Sequence, residues 1–453
     1  MSAYSIATRG LAGRKVPQGV LTPMGDLLFS ASEQGAWYDP GDMSTLFQDS
    51  AFTTPVTAVE QPVGSILDKS GRGNHATQAT TTKRPVLSRR VNTLSTTQAV
   101  GCGTVTVITD AFGPGFDGLQ LTRTAAGDEV YFAVNPSDVR GGSTYTLKVL
   151  LKKGGSTNPA QIVSFYTSAG GITVSVNWDS GNIASGAVSG GFTITNQSSV
   201  QLSADSYYVT LGCAVPAGVT SGTIARIYFW VGTLGVPGPI IGNPQFTLTT
   251  DAHLPYQRVN TATDYDADPS KFPAYLRFDG VDDALQTGNI DFTGTDKMTV
   301  VAGVRSNLNG YSNILELGPN SASENGFSLQ RGWAANGDYA GIAYGTSLGY
   351  GYTSNFAAPD TSVIAAQYDI AQASVFGGEI SFRRNGVVSA KAETQGSAGT
   401  GNFSQKPLYI GSRAGTSFPF NGRIYSLIVR GAQTPLSQIE ATERYIKQKM
   451  RLP

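Results

Sequence analysis

Short runs of β-branched and aromatic residues recur along this chain, and clusters of Gly, Asn, Asp and Pro separate them. Several runs alternate apolar with polar residues, which is typical of strands that bury one face. The runs are residues 144–151, 171–178, 207–213, 223–231, 298–304, 327–330, 363–368, 379–383, 408–410 and 422–430. This pattern predicts an all-β fold of the sandwich type.

A helical period is clear at only one place, near the C-terminal end. The apolar residues at helical spacing are Leu436, Ile439, Tyr445, Ile446 and Met450. Thr434 is predicted to cap this helix, and Pro435 to occupy its first position, where a backbone N–H is not needed. We expect the apolar side of this short helix to pack onto a sandwich.

Residues 1–35 contain Pro17, Pro23 and several glycines and have no sustained period. This composition predicts an extended N-terminal arm. Such an arm is a candidate for docking onto a neighbouring protein.

Two dipeptides, Asn385-Gly386 and Asp279-Gly280, are predicted to form hairpin turns. Both central residues of a type I′ turn need positive φ, which Asn, Asp and Gly tolerate best. Each dipeptide is therefore expected to join two strands that pair with each other.

Composition excludes several classes of function. Only 14% of residues are charged, against roughly 25% in ordinary soluble domains. The 32 basic and 32 acidic side chains cancel, so we expect neither nucleic acid nor an anionic membrane surface as a partner. The chain lacks the apolar runs of a membrane span or a secretory signal, which predicts no membrane insertion. Cys102 and Cys213 are too few for a disulfide framework and are predicted to be buried free thiols.

Three separated pieces of the chain resemble successive parts of a laminin-G-like, concanavalin-type jelly roll. They are residues 37–47 with 68–75, residues 276–285, and residues 408–411 with 420–425 and 436–440. The segment between the first two pieces resembles the β-sandwich of carbohydrate-binding modules. The resemblance implies two β-sandwich domains, one inserted into the other.

The predicted domain limits follow from this order. Residues 1–35 form the arm, residues 36–91 with 263–453 form the laminin-G-like jelly roll, and residues 92–262 form the inserted sandwich.

The combination of Trp37-Tyr-Asp-Pro-Gly-Asp with Asp68-Lys-Ser-Gly-Arg-Gly-Asn-His is similar to structural proteins of tailed bacteriophages. This resemblance implies a tail, fibre or baseplate protein on the virion surface, made in the bacterial cytoplasm. It further implies a homotrimer, attached to other virion proteins through the arm, that binds host surface glycans. A head or tail decoration protein with a structural role is the alternative, and a polysaccharide depolymerase is a third hypothesis.

Catalysis has little support in the sequence. A glycosidase needs two carboxylates about 5–10 Å apart across a sugar. The acidic candidates are scattered and comprise Glu316, Glu324, Glu379, Glu393, Asp282 and Asp283. His75 and His253 are the only histidines, which leaves little material for a histidine base or metal centre. The chain is predicted not to be an enzyme and to require no cofactor.

Aromatic residues set among glycines are the best candidates for sugar binding, because flat apolar rings with nearby polar atoms suit sugars. The predicted glycan-binding residues are Trp333, Asn336, Asp338, Tyr339, Tyr344, Tyr350, Tyr352 and, in the inserted sandwich, Trp178. The alternative is that these rings belong to the core or to a subunit interface.

Calcium is the candidate metal, since related jelly rolls often hold it and hard oxygen ligands suit it. The residues that match the family's turns are Asp68, Asn74, Asp279, Asp282 and Asp283. The alternative is that these residues form hydrogen-bonded turns without an ion.

Overall fold

The structure, a computed structural model, covers most of the chain beyond residue 23. It describes residues 24–96, 100–101, 104–125, 130–134, 139–155, 160–219, 225–229, 233–323, 325–332, 337–372, 378–389 and 399–453. Residues 1–23 of the predicted arm, Trp333, Asn336 and Cys102 lie outside the described residues.

The first part of the described chain contributes one helix and five short strands. They are α1 (Met24–Phe29), β1 (Gly35–Tyr38), β2 (Leu46–Phe47), β3 (Ser65–Ile66), β4 (Ala76–Thr77) and β5 (Val86–Ser88). The prediction of an extended arm is wrong for residues 24–29. This segment is helical because Leu28 and Phe29 bury their apolar side chains in a core cluster of the same chain.

The middle of the chain forms a sandwich of its own. Its strands are β6 (Val100–Gly101), β7 (Thr104–Ile108), β8 (Gly118–Thr122), β9 (Val130–Val134), β10 (Thr144–Lys152), β11 (Ala160–Thr167), β12 (Gly170–Asn177), β13 (Ile183–Val188), β14 (Thr193–Ser203), β15 (Ser206–Ala214), β16 (Ala225–Phe229) and β17 (Pro237–Leu248). They form two six-stranded sheets, ordered β14-β15-β10-β17-β8-β7 and β13-β12-β11-β16-β9-β6. Aromatic rings fill the core between them: the Phe246 ring is stacked on Tyr145, with ring centres 5.1 Å apart, and tilted against Phe165, with ring centres 4.8 Å apart.

The last part of the chain returns to the first. Its elements are β18 (Tyr275–Asp279), β19 (Leu285–Asp291), β20 (Lys297–Ser306), β21 (Ser312–Leu317), β22 (Phe327–Arg331), β23 (Tyr339–Tyr344), β24 (Leu348–Tyr352), β25 (Asp360–Asp369), β26 (Ile380–Arg384), β27 (Val387–Val388), β28 (Gln405–Ile410), β29 (Asn421–Arg430) and α2 (Leu436–Met450). Together with β1 to β5 they build a second sandwich, which we call the framework.

The framework consists of an eight-stranded sheet, β27-β26-β25-β20-β29-β18-β5 with β1 also paired to β29, and a nine-stranded sheet, β2-β3-β4-β19-β28-β21-β22-β23-β24. Strands from both ends of the chain pair directly, β5 with β18 and β4 with β19. One apolar core draws on both parts, for example Leu46 and Leu87 with Leu276. The predicted all-β fold, with one sandwich inserted into another, is confirmed, whereas the exact domain limits stay a prediction.

Helix α2 covers part of the outer face of the eight-stranded sheet. Its buried residues Ile439, Ile446 and Met450 share an apolar cluster with residues of the sheet. The predicted cap is wrong: Pro435 occupies the N-cap position, and the Thr434 hydroxyl instead accepts a hydrogen bond from Arg430. Proline has no side-chain oxygen, so the start of α2 depends on packing.

The two predicted hairpins have different outcomes. Asn385 and Gly386 have φ of 52° and 87° and join the paired strands β26 and β27, as expected. Asp279-Gly280 does not close a hairpin, because β18 belongs to the eight-stranded sheet and β19 to the nine-stranded sheet. This turn therefore carries the chain from one layer of the framework to the other.

Cys213 lies in β15 and is buried, and this burial raises the pKa of its thiol to about 12. The thiol is thus protonated and unreactive at neutral pH. Within the described residues, no helix has the length and apolar character needed to cross a membrane.

Candidate functional site

The turn that starts at Asp68 is held by the aspartate itself. Oδ1 accepts from the backbone N–H of Trp37 and of Ser70, at 2.8 Å each. Oδ2 accepts from the Ser70 hydroxyl at 2.7 Å and from the Asn74 N–H at 3.0 Å. The Asn74 side chain donates to the carbonyl of Gly35. The contacts with Trp37 and Gly35 tie the turn to β1, and the other three hold the turn itself.

A second turn gathers three carboxylates at the crossover between β18 and β19. Oxygen atoms of Asp279, Asp282 and Asp283 all lie within 4.8 Å of one another. Burial and the nearby charges of Asp279 and Asp282 raise the pKa of Asp283 to about 7. Three close carboxylates are a ligand set that suits a hard cation such as Ca²⁺.

The structure therefore divides the predicted metal ligands. Asp279, Asp282 and Asp283 lie together, whereas Asp68 and Asn74 belong to the separate turn beside β1. For Asp68 and Asn74 the alternative of a hydrogen-bonded turn without an ion fits the structure, because the Asp68 oxygens already accept from four N–H and O–H donors. Calcium at the three remaining aspartates stays a prediction.

The predicted sugar-binding segment forms the edge hairpin of the nine-stranded sheet, where β24 pairs with β23 alone. In its register Tyr344 lies opposite Leu348, and Tyr350 opposite Ile342. Alternate residues of a strand share a face, so Tyr344, Tyr350 and Tyr352 lie on one side of the hairpin. The backbone of Gly351 faces the core against Ile380, which places the tyrosines on the outer side. We call these three half-buried residues the tyrosine face.

Asp338 lies next to this face. Burial, followed by the influence of Tyr350 and Asp338, raises the pKa of Tyr352, so its hydroxyl is protonated at neutral pH. Asp338 is 3% exposed, and its Oδ1 atom has no hydrogen-bond partner among the described residues. A buried acceptor without a donor is costly, and this one lies beside aromatic rings.

Two of the predicted sugar-binding rings are in the wrong place. Tyr339 is fully buried on the core side of β23, and its hydroxyl donates to Asp360 at 2.8 Å. Trp178 is 1% exposed within the core of the inserted sandwich. Both are core residues, because burying the apolar surface of such large rings stabilises the fold more than leaving them exposed to solvent. Trp333 and Asn336 cannot be placed, as they lie outside the described residues.

Glu316, one of the carboxylates considered for catalysis, is fully buried and occupied. Arg413 Nε donates to both of its oxygens at 3.1 and 3.0 Å. Asn313 donates at 2.6 Å, and Ser321 donates through both its N–H and its hydroxyl. A carboxylate that accepts five hydrogen bonds from four donor groups is a structural anchor and has no free lone pair directed at a substrate.

Sequence reasoning missed a row of three arginines on the eight-stranded sheet. Arg423 in β29 lies opposite Arg277 in β18 on one side and opposite Arg305 in β20 on the other. All three line a cleft of about 430 Å³ beside the segments that lead into and out of the inserted sandwich. Each arginine alternates with apolar residues in its own strand, which was a visible signal. Only the strand register, however, brings the three together.

Comparison with known proteins gives weak likenesses only. No protein-family model and no curated protein sequence matches the chain. Domain 4 of AbnA, a GH43 extracellular arabinanase from Geobacillus stearothermophilus, is 14% identical, with 37% of this chain and 75% of that chain covered and a TM-score of 0.29. The CBM40 of the Ruminococcus gnavus IT-sialidase is 16% identical, with coverage of 35% and 97% and a TM-score of 0.26.

The Trypanosoma rangeli sialidase is 11% identical, with 87% of this chain and 69% of that chain covered and a TM-score of 0.30. At these low scores, none of the likenesses assigns a function to this chain.

Proposed function

We propose that this chain is a non-enzymatic virion protein of a tailed bacteriophage, in the tail, fibre or baseplate, that binds host surface glycans through the tyrosine face. The observation that carries the proposal is the alignment of Tyr344, Tyr350 and Tyr352 on the outer side of an edge hairpin. Helix α2, by contrast, packs on the eight-stranded sheet.

The chemistry of this face suits a neutral sugar. A half-buried tyrosine keeps its stem fixed by the sheet and presents part of its ring, so little entropy is lost when a ligand binds. Tyr350 and Tyr352 are two residues apart on an extended strand, about 7 Å along the chain. Asp338 is close to Tyr352 and places a carboxyl group beside the face.

Binding without cleavage is the simpler proposal for the carboxylates in the described part of the chain. Glu316 is engaged by Arg413, Asn313 and Ser321. Asp282 and Asp283 lie beside Asp279 in the crossover turn between β18 and β19, away from the hairpin that carries the tyrosine face. Glu324 and Glu393 lie outside the described residues.

The virion assignment rests on the motifs at residues 37–42 and 68–75, which resemble those of phage structural proteins. We propose that the N-terminal arm, residues 1–35, attaches the chain to other virion proteins and that the protein is a homotrimer. Individual sugar sites are weak, and presenting several of them together can raise the overall affinity by about 10²–10⁴-fold. The protein would be made in the bacterial cytoplasm and act on the virion surface.

The decisive experiment compares tyrosine variants for binding to a glycan array and to host cells. We expect Tyr350→Ala and Tyr352→Ala to lose about tenfold or more in affinity, since aromatic contacts are worth about 1–3 kcal/mol. Tyr166→Ala is the matched control, because Tyr166 is half exposed on the inserted sandwich. Thermal unfolding of each variant would verify that the fold is intact.

The same variants separate the alternatives. If folded Tyr350→Ala particles assemble poorly but adsorb normally per particle, the tyrosine face is a subunit contact and the chain is a decoration protein. Release of reducing sugar from host polysaccharide would contradict the non-enzymatic proposal. Equal glycan binding by wild type and both tyrosine variants would refute the proposed site.

A further inference from the structure

The arginine row on the eight-stranded sheet is electrostatically unfavourable by itself. Arg277, Arg423 and Arg305 stand directly opposite one another on three adjacent strands. Like charges at directly opposed positions destabilise a sheet. A row of three guanidinium groups therefore requires negative partners.

The chain supplies these partners only in part. Asp251, in the short helix that follows β17, lies 2.8 Å from Arg305 and 3.8 Å from Arg423. Glu60 lies 3.1 Å from Arg277.

Two more arginines, Arg90 and Arg140, line the same cleft, together with the carboxylates of Glu60 and Asp279. Among the described residues, five guanidinium groups thus meet three carboxylates, with Asp251 included. Arginines therefore outnumber carboxylates in the described lining of the cleft, although Arg140 and Arg277 each have a further partner in the chain.

Two guanidinium nitrogens of the row have no hydrogen-bond partner among the described residues, Nε of Arg305 and Nη1 of Arg423. Arg305 is only 5% exposed. Arg90 is different, because its nitrogens donate to the carbonyls of Asn92, Leu94 and Ala262. Leaving a buried charged donor unmet is costly. Nη1 of Arg423 keeps an ion pair with Asp251 at 3.8 Å, so a ligand acceptor in the cleft would add to Asp251 there and would be the first acceptor for Nε of Arg305.

The walls of the cleft are fixed before any ligand arrives. The Arg423 guanidinium is stacked 4.3 Å from the ring centre of Tyr275, whose hydroxyl donates to the carbonyl of Arg90. The side chain of Asn307 donates to that of Asn421, which in turn donates to the carbonyl of Asp279. Fixed donors lose little entropy on binding and so favour affinity.

We propose that this cleft binds an acidic saccharide, with its carboxylate on Arg305 and Arg423. The planar fork of arginine matches a carboxylate with two parallel hydrogen bonds. The volume of about 430 Å³ lies within the range of about 300–1,000 Å³ for small-ligand pockets. Asn307 and Asn421 line the same cleft and offer amide groups to sugar hydroxyls. The proposal goes beyond the tyrosine face, is independent of it and concerns a different part of the framework.

The test is isothermal titration of the full chain with trigalacturonate and with neutral galactotriose. We expect trigalacturonate to bind and galactotriose to bind at least about tenfold more weakly, because charge-assisted hydrogen bonds dominate. Raising the salt concentration should weaken the acidic ligand's binding through screening. Equal affinity for both sugars, or no binding of trigalacturonate, would overturn the proposal.

Variants locate the site. Ala262→Trp fills the cleft from an exposed position and should abolish binding, whereas Ala58→Trp, at an exposed alanine outside the cleft lining, should not. Arg423→Lys keeps the charge but loses the fork, and we expect about tenfold weaker binding with folding verified by thermal unfolding. Unchanged affinity in Ala262→Trp overturns the proposal. So does loss of trigalacturonate binding in Tyr350→Ala, which would place the ligand on the tyrosine face.

Discussion

The turns at Asp68 and at Asp279 look alike in the sequence but differ in their electrostatics. Each begins with an aspartate after or near a strand, and each contains a glycine at positive φ, Gly71 at 81° and Gly280 at 79°. Asp68 is surrounded by four hydrogen-bond donors. Asp283 instead faces two other carboxylates and has its pKa raised to about 7 by burial and by those charges.

The difference shows that the donors around an aspartate decide its role. A carboxylate whose lone pairs are filled by N–H and O–H groups is stable as an anion and holds the chain in place. A carboxylate among other carboxylates destabilises the ionised form and favours a proton or a cation. The resemblance to related jelly rolls offered calcium as a candidate for both turns and left hydrogen-bonded turns as the alternative, because the sequence does not show which donors surround each aspartate.

The largest expected effect is that of Asp68→Asn. The amide nitrogen cannot accept from the Ser70 hydroxyl and the Asn74 N–H, so at least two donors lose their acceptor. We expect a loss of about 3 kcal/mol in the free energy of unfolding, given about 1–3 kcal/mol for each unmet buried group. Urea unfolding measures this loss, and a change within experimental error would contradict the assigned anchoring role.

Replacing a glycine with alanine should destabilise the protein more in the Asp279 turn than in the Asp68 turn, the reverse of the order expected for the aspartates. A Cβ on Gly280 would lie 2.6 Å from the Cβ of Asn421, whereas a Cβ on Gly71 would meet nothing within 4 Å. Both alanine variants carry the cost of positive φ, about 1–2 kcal/mol, but only Gly280→Ala adds a clash. We expect Gly280→Ala to lower the free energy of unfolding by about 2–3 kcal/mol and Gly71→Ala by about 1 kcal/mol, as measured by urea unfolding. Equal losses in the two variants would contradict this difference between the turns.

The pH dependence of Asp283 gives the third prediction. The native state keeps the proton on Asp283 up to about pH 7, whereas an unfolded aspartate loses it near pH 4. The native state thus binds more protons between these values, so stability falls as the pH rises from about 4 to about 7.

Asp283→Asn should remove this slope and stabilise the protein at pH 8 by about 1–3 kcal/mol, since solvent screening reduces the full effect. The asparagine oxygen can still accept from the Asp279 N–H, which Asp283 accepts at 2.9 Å. Unfolding of both proteins at pH 5 and pH 8 provides the measurement, and a variant that is less stable than wild type at pH 8 would refute the interpretation.

Calcium is expected to have the smallest effect. At pH 8 Asp283 has lost its proton, and Ca²⁺ at about ten times its dissociation constant would add about 1.4 kcal/mol to the free energy of unfolding by mass action. We expect thermal unfolding to shift upward with calcium, to return with EDTA, and to be insensitive to calcium in Asp279→Asn with Asp282→Asn. The Asp68 turn gives the control, since Asn74→Ala should leave any calcium response unchanged.

Much of the fold could be predicted from local patterns. Strands such as β10 and β29 follow from alternating β-branched residues, and the Asn385-Gly386 hairpin follows from the φ that these residues tolerate. The alternation also contained the information that separates Tyr339 from Tyr352. Using this alternation requires knowing which face of the sheet one residue of β23 lies on, because a shift of the strand by one position exchanges its core face and its outer face.

The remaining features depend on contacts that are distant in sequence. Nothing near Asp279 indicates that β18 and β19 belong to different sheets. The arginine row joins residues 277, 305 and 423 through strand register, and no local pattern carries that information. Trp178 was ambiguous for the same reason, since it packs against Tyr207 of β15, which belongs to the other sheet of the inserted sandwich.

Strand β29 comes late in the chain but lies inside its sheet, between β20 on one side and β18 with β1 on the other. During synthesis the framework therefore cannot close until this last strand has left the ribosome. The inserted sandwich needs nothing beyond β17 for its two sheets, so it can fold first, in keeping with the early folding of N-terminal units. Folding of the inserted sandwich then brings β5 close to β18, its pairing partner on the far side of the insert. This lowers the entropic cost of closing the long segment between these two strands.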